Sequence, residues 1–480
     1  MTSSITTLNP SLVWHWFDII CAIPHPSFHE NALAEYIVNW ATQKGLVVTR
    51  DDADNVFISK NATQGYEEHA PIALQAHLDM VTQANGKFDF LNEPIRPYID
   101  GDWVTAQGTT LGADNGIGLA SILAVLDSDE LAHPKIEALL TMTEETGMVG
   151  ARHLASNKLT AKRMINTDTE EIGEIYLGCA GGVDVEIDLP VVYTANHTTD
   201  SAISLTIKGL KGGHSGIDIH KNNANAIKLL AHILANVGVT YRLASVSGGT
   251  ARNAIPRSAR AVLVVNNDHQ QALNEALTSW CQEVKKLVGG YETALTWEIH
   301  TESLPDEALT AESTRQVVDL LNATPNGVWR YSDQVADTVE SSLSLGMVSL
   351  DKQGVHFVSL VRSLNQQGKN SVTSALLSLA RVSGANAVLT GDYIGWNPNP
   401  TSAITQVVEQ AYRQLGFKPE FKVIHAGLEC GLIQCAYPDM DIVSIGPTIK
   451  NAHSPDEKVH IASVATYWQV LTYALANAPK

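Results

Sequence analysis

A chain of 480 residues is too long for one ordinary domain and sets an expectation of about two to four, with a hydrophobic share of 44% to fill their cores. The balance of 32 Lys and Arg against 51 Asp and Glu leaves a formal charge of −19. That charge repels phosphate backbones and anionic lipid, so no nucleic acid and no membrane is expected as partner, and a small molecule is.

The opening "MTSSITTLNPSLVWHWF" has neither the basic start nor the apolar core of a secretory signal. The segment "NALAEYIVNWATQK", Asn31 to Lys44, puts Leu33, Ile37, Trp40 and Ala41 on one stripe and predicts a surface helix closed by Gly45. "NVFIS" and "PIALQAH" read as short strands, "GIGLASILAVL" as a buried helix, and "KIEALLTMT" and "AKRMINTD" as further strands. The helical run falls short of the roughly 18 to 20 apolar residues needed to cross a bilayer. Strands and helices alternating at this spacing predict an α/β core with largely parallel strands.

From about residue 185 the texture changes to amphipathic strands and helices in two successive sets, the first running from "AISLTIKGL" to "ALTWEIHT", the second from "STRQVVDLLN" to "NAVLTGDY". The connector "GWNPNPTS" then returns the chain to its first texture. The expectation is one catalytic domain, residues 1–185 and 395–480, interrupted by an inserted domain, residues 186–394. Five scattered cysteines, Cys21, Cys179, Cys281, Cys430 and Cys435, make neither a zinc ribbon nor a disulfide framework and fit a reducing cytoplasm.

Ionisable residues cluster where strands are predicted to end. In "LQAHLDM", His77 and Asp79 leave a strand on one face, which suits a metal-binding imidazole oriented by a carboxylate or a plain hydrogen-bonded pair. Asp114 in "TTLGADNGIG" precedes a helix, where an N-cap is the simpler reading. "ALLTMTEETGMVG" ends an apolar run on adjacent Glu144 and Glu145, "MINTDTEE" ends one on Asp168, and "IKNAHSPDEKVH" offers His453, with His460 as competitor. In open α/β sheets ligands gather outside the carboxyl ends of strands, so these residues can converge. His77, Asp114, Glu145, Asp168 and His453 supply two imidazoles and three carboxylates, which suits two Zn²⁺-like ions sharing one carboxylate. With one hydroxide the charges balance, which leaves Glu144 free for proton transfer.

The motifs "HLDM", "LGADNGIG", "TEETGMVGA", "INTDTEE" and "NAHSPDE", in this order, resemble the di-zinc exopeptidase family that includes carboxypeptidase G and the carnosinases. The length, the insertion and "KGLKGGHSGIDIH" are most similar to its aminoacyl-histidine (Xaa-His) dipeptidase branch. The resemblance implies an α/β catalytic domain with a large inserted α+β lid domain, and metal-dependent hydrolysis of dipeptides such as β-alanyl-histidine. It implies two divalent ions, Zn²⁺ with Co²⁺ or Mn²⁺ as alternatives. Asp114 would bridge them, His77 and Asp168 would complete one site, and Glu145 and His453 the other. Asp79 and Glu144 match the family's catalytic acids, and His214 of "GGHSG" matches a histidine that holds the substrate carbonyl. Asn253 of "ARNAIP", Arg362 of "SLVRS" and Gly427 of "HAGLECG" match substrate-contacting positions. From the residues alone, Arg362 also reads as a structural ion-pair partner and "KGGHSG" as a turn. An N-acyl amino acid deacylase, a tripeptidase or a binding protein on the same fold stays open, as does a homodimer.

Overall fold

The computed structural model describes residues 5–333 and 335–480. The expected start of the catalytic domain at residue 1 therefore lies outside the described residues. The chain forms two compact units. The first runs through Gly178 and resumes over Trp396–Val423 and Leu428–Lys480; the second comprises Cys179–Gly395 with the short return Ile424–Gly427.

The first unit is built on an eight-stranded sheet. Its four central strands, Ile136–Thr141, Ile72–His77, Arg163–Asn166 and Asp441–Ser444, run parallel in that spatial order. Antiparallel partners flank them, Val56–Lys60 beside Ile136–Thr141 and the strand carrying Tyr176 beside Ser444, so the sheet is mixed rather than parallel throughout. Ile72–His77 and Ile136–Thr141 are buried along their whole length, as expected of strands covered on both faces. The helix Ala113–Asp127 is apolar on every side because every residue from Asn115 to Leu126 is buried. It shares one hydrophobic core with residues of helices Ser11–Ala22, Ala403–Gln414 and Ile461–Ala476. Parallel strands end their chains on one side of a sheet, and that is where His77, Thr141 and Asn166 stop.

In the second unit the two predicted sets of elements merge into one nine-stranded sheet whose strand pairs are antiparallel among the described residues. Its strands alternate with period two. Val183, Val185, Ile187 and Leu189 of strand Gly181–Leu189 enter a core shared with helices Ala226–Asn236, Gln270–Val288, Ala311–Ala323 and Gln366–Ser383. The alternate positions of that strand, beginning with Gly182 and Asp184, belong to the sheet's other face.

Candidate functional site

The strand ends of the first unit carry the doubled glutamate, the aspartates and the histidines to one place. His77 is the last residue of Ile72–His77, and Asp168 follows Arg163–Asn166 by two residues. Asp114 Oδ1 lies 3.3 Å from His77 Nε2, and Asp168 Oδ1 lies 3.4 Å from the same nitrogen. On its other side Asp114 Oδ2 lies 3.2 Å from His453 Nε2, which is 3.0 Å from Glu145 Oε1. His77, Asp114 and Asp168 offer ligand atoms within 4.8 Å of one another, and so do Asp114, Glu145 and His453. The donor set is hard oxygen plus imidazole nitrogen, and one carboxylate gives one oxygen to each group. These residues fit two divalent cations with Asp114 between them. His460 is in neither group; its ring packs at a tilt against Trp103, with ring centroids 5.0 Å apart.

Asp114 does not cap its helix. The amides of Leu111, Gly112, Ala113 and Asp114 all donate to the buried Glu457 carboxylate, at 2.8, 3.0, 2.8 and 3.3 Å. The amide of Gly116, which an aspartate cap at this position would take, donates instead to the Gly112 carbonyl at 3.0 Å, so both oxygens of Asp114 stay free to face the histidines. Asn115 donates to Asp168 and so ties the two aspartates together. Gly118 is needed here, since a Cβ on it would sit 1.9 Å from Asn115 Oδ1 and 2.6 Å from the Thr167 carbonyl.

Asp79 is buried behind His77. Its backbone carbonyl lies 3.0 Å from His77 Nδ1, which leaves Nε2 for the cluster. Its carboxylate accepts the Glu144 amide at 2.8 Å, the Glu145 amide at 3.1 Å and the Ser27 hydroxyl at 2.7 Å. One carboxylate thus orients a histidine and pins the doubled glutamate. Burial pushes the Asp79 carboxyl up, but His77, Ser27 and these amides outweigh it and hold it below the usual range. Glu144 belongs to a third close group, with His77 and Glu145. Burial, reinforced by Asp168, Glu429 and Glu145, raises its carboxyl well above the ordinary value against the pull of His77. Beneath His77, the buried Glu429 accepts from Gln75 Nε2 at 2.6 Å and Thr141 Oγ1 at 2.7 Å. Burial lifts its carboxyl to about 7.

The remaining sequence-predicted residues lie in the second unit. His214 Nδ1 accepts the amides of Gly216 at 3.1 Å and Ile217 at 3.0 Å, so its proton sits on Nε2. Burial, then the Arg362 charge, holds its pKa below the ordinary value and keeps the ring neutral. Nε2 is 3.4 Å from Arg362 Nη2. Two donors side by side share no hydrogen; what both can serve is an acceptor oxygen of a third group. Arg362 is 4% exposed, and no carboxylate among the described residues lies within 4.0 Å of it. The ion-pair reading is therefore set aside. The Asn253 side chain is exposed, while its carbonyl accepts the Ser215 amide at 2.9 Å and fixes the His214 turn. Gly427 closes the return segment Ile424–Gly427, in which His425 hydrogen-bonds Ser342 Oγ at 2.7 Å.

Glu457, Asn115 and Glu429 carry no role in the sequence reading. Glu457 lies within the quoted "NAHSPDE", but nothing in its spacing reveals that it serves amides more than 340 residues earlier. Its loss is expected to loosen a site that it reaches only through backbone amides. In Glu457→Gln the amide NH2 opposes two of the four backbone donors, so the chelator concentration that strips metal should fall by roughly 10- to 100-fold. Metal content after graded chelator dialysis measures this.

A model of the Peptidase family M20/M25/M40 matches residues 73–477. The cytosol non-specific dipeptidase of Escherichia coli is 48% identical over 99% of this chain and 99% of its own. The crystal structure of an aminoacylhistidine dipeptidase from Vibrio alginolyticus is 45% identical, with a TM-score of 0.93 over 100% of this chain and 99% of that one. The aminopeptidase PepT of Bacillus cereus, 16% identical with a TM-score of 0.58 over 98% and 100% of the two chains, shares the fold.

Proposed function

The chain belongs to the M20/M25/M40 peptidase family, and from that premise we propose that it hydrolyses dipeptides bearing a free C-terminal carboxylate, Xaa-His dipeptides among them, with two divalent metal ions. The observation that carries the reading is Asp114, whose two oxygens face two separate histidines, each with its own second carboxylate. His77, Asp114 and Asp168 would hold one ion and Asp114, Glu145 and His453 the other. Zn²⁺ is the metal of our reading, with Co²⁺ and Mn²⁺ as alternatives; bound there, the ions acidify a water molecule and polarise a carbonyl.

The protein's own groups do the rest. Glu144 takes the proton of the attacking water and delivers it to the leaving amine. No hydrogen-bond donor among the described residues is bonded to the Glu144 carboxylate, so it is free to do so. Asp79 holds Glu144 in place through its backbone amide. His214 donates its Nε2 hydrogen to the carbonyl oxygen as negative charge develops there. Arg362 takes the substrate's carboxylate, the anion its buried charge lacks. Asn253 and Gly427 would contact the same substrate. The name of the Escherichia coli relative supports a cytoplasmic setting. No helix among the described residues is long and apolar enough to cross a membrane.

Metal-depleted protein restored with Zn²⁺, Mn²⁺ or Co²⁺ and assayed on a dipeptide panel that includes β-alanyl-histidine tests the reading directly. Activity that never returns with any of the three ions refutes it. Glu144→Gln should keep both ions and lose turnover by roughly 10²- to 10⁴-fold, because the amide has the carboxylate's shape and cannot accept the proton. At the other end of the substrate, Arg362→Ala should weaken free dipeptides severely, since a charge-assisted hydrogen bond is worth about 1.5–3 kcal/mol. Capping the substrate carboxylate as an amide should reproduce that loss on the parent protein.

A further inference from the structure

Four strands of the second unit's sheet place one residue each in a single row. Ser342 pairs with Arg362, Arg362 with Gly182, and Gly182 with Tyr393. Residues paired in this way share a face of the sheet. Arg362 and Tyr393 therefore stand on either side of a position with no side chain. The Tyr393 ring crosses that gap, and its hydroxyl lies 2.8 Å from Arg362 Nη1. A Cβ on Gly182 would fall 2.6 Å from the Tyr393 oxygen and 2.8 Å from its ring carbons, so only glycine admits the ring.

Tyr393 holds this place because of a bulge. Thr390 pairs with Asp184, and the register shifts before Tyr393 meets Gly182. Two residues along one strand are matched by three along the other, with Gly391 at φ 60°. In an unbulged strand the residue opposite Gly182 would be Asp392. The extra residue puts a phenol beside the guanidinium where a carboxylate would otherwise stand. Asp392 is drawn instead to the Lys369 ammonium, which also donates to the Tyr393 carbonyl at 2.9 Å. Burial raises the Tyr393 phenol above its ordinary value and keeps it neutral. The other nearby carboxylate, Asp184, is paired with Arg252 at 2.8 Å.

We propose that Tyr393, seated by the bulge at Gly391 and the gap at Gly182, is a positioning residue that aims the Arg362 guanidinium without neutralising it, and so sets selectivity for substrates with a free C-terminal carboxylate. This rests on the role given to Arg362 above. A carboxylate at that place would hold Arg362 just as firmly but would compete with the substrate; a neutral oxygen orients the charge and leaves it available.

The test is steady-state kinetics on a free dipeptide and its C-terminal amide, with Tyr393→Phe, Gly182→Ala and Arg362→Ala beside the parent. Tyr393→Phe removes one oxygen and keeps the ring. Its KM for the free dipeptide should rise on the order of tenfold, with kcat within about twofold and kinetics on the amide unchanged. Gly182→Ala, which pushes the ring aside, should show the same split. If Tyr393→Phe leaves KM for the free dipeptide at the parent value while Arg362→Ala raises it, the proposal is wrong and the role of Arg362 stands. Equal losses on both substrates would mark Tyr393 as merely structural and also overturn it. If Arg362→Ala itself treats the two substrates alike, the carboxylate reading fails and the proposal fails with it.

Discussion

Asp114 faces His77 with one oxygen and His453 with the other, at 3.3 and 3.2 Å, joining residues 339 positions apart in the chain. A carboxylate can serve two partners in this way only if nothing else claims its lone pairs. The surrounding structure removes each competitor in turn. The Gly116 amide that an aspartate at this position would ordinarily cap goes to the Gly112 carbonyl, and Glu457 holds the turn from Leu111 to Asp114 by its amides. The neighbouring Asn115 turns its amide to Asp168, and Gly118 leaves the room that this requires. Asp79 fixes the remaining geometry by holding His77 from behind and two consecutive glutamate amides from below. What looks like a set of separate ligands is mechanically one object, a carboxylate kept free and held in place by its neighbours.

Much of that object is legible in the sequence, because candidate metal ligands advertise themselves by type and place. An apolar strand that stops on His-x-Asp, on Glu-Glu or on Asp is an unusual sequence, and parallel strands carry such endings to one side. The helix from Gly116 to Leu126 was legible for a similar reason, since a run without a polar face must be buried. What escaped the reading depends on long-range partners. In isolation Asp114 reads more simply as an N-cap, because the histidines it faces are remote in sequence, and Arg362 also reads as half of an ion pair because its surroundings are set by three other strands. The bulge at Gly391 is invisible in "NAVLTGDY": its effect is to exchange which of two adjacent residues faces Gly182, and alternation alone predicts the wrong one. The return of Ile424–Gly427 to the second unit is likewise a property of packing, carried by four residues with no compositional mark.

The two units use opposite electrostatic strategies. In the first, carboxylates are concentrated and buried beyond what hydrogen bonds alone can offset, which raises the carboxyls of Glu144 and Glu429 and creates a demand for cations. In the second, a buried guanidinium has a phenol and an imidazole within 3.4 Å and no carboxylate within 4.0 Å among the described residues, which creates a demand for an anion. Each demand matches one requirement of dipeptide hydrolysis, the activation of water and the capture of a free terminus.

If Asp114 belongs to two metal sites at once, the metal content of Asp114→Asn shows it directly. The asparagine keeps the shape but offers one carbonyl oxygen in place of two charged ones, so both ions should be lost together, with bound metal falling toward zero per chain under dialysis that leaves two on the parent. A protein that retains one tightly held ion would show instead that Asp114 serves a single site.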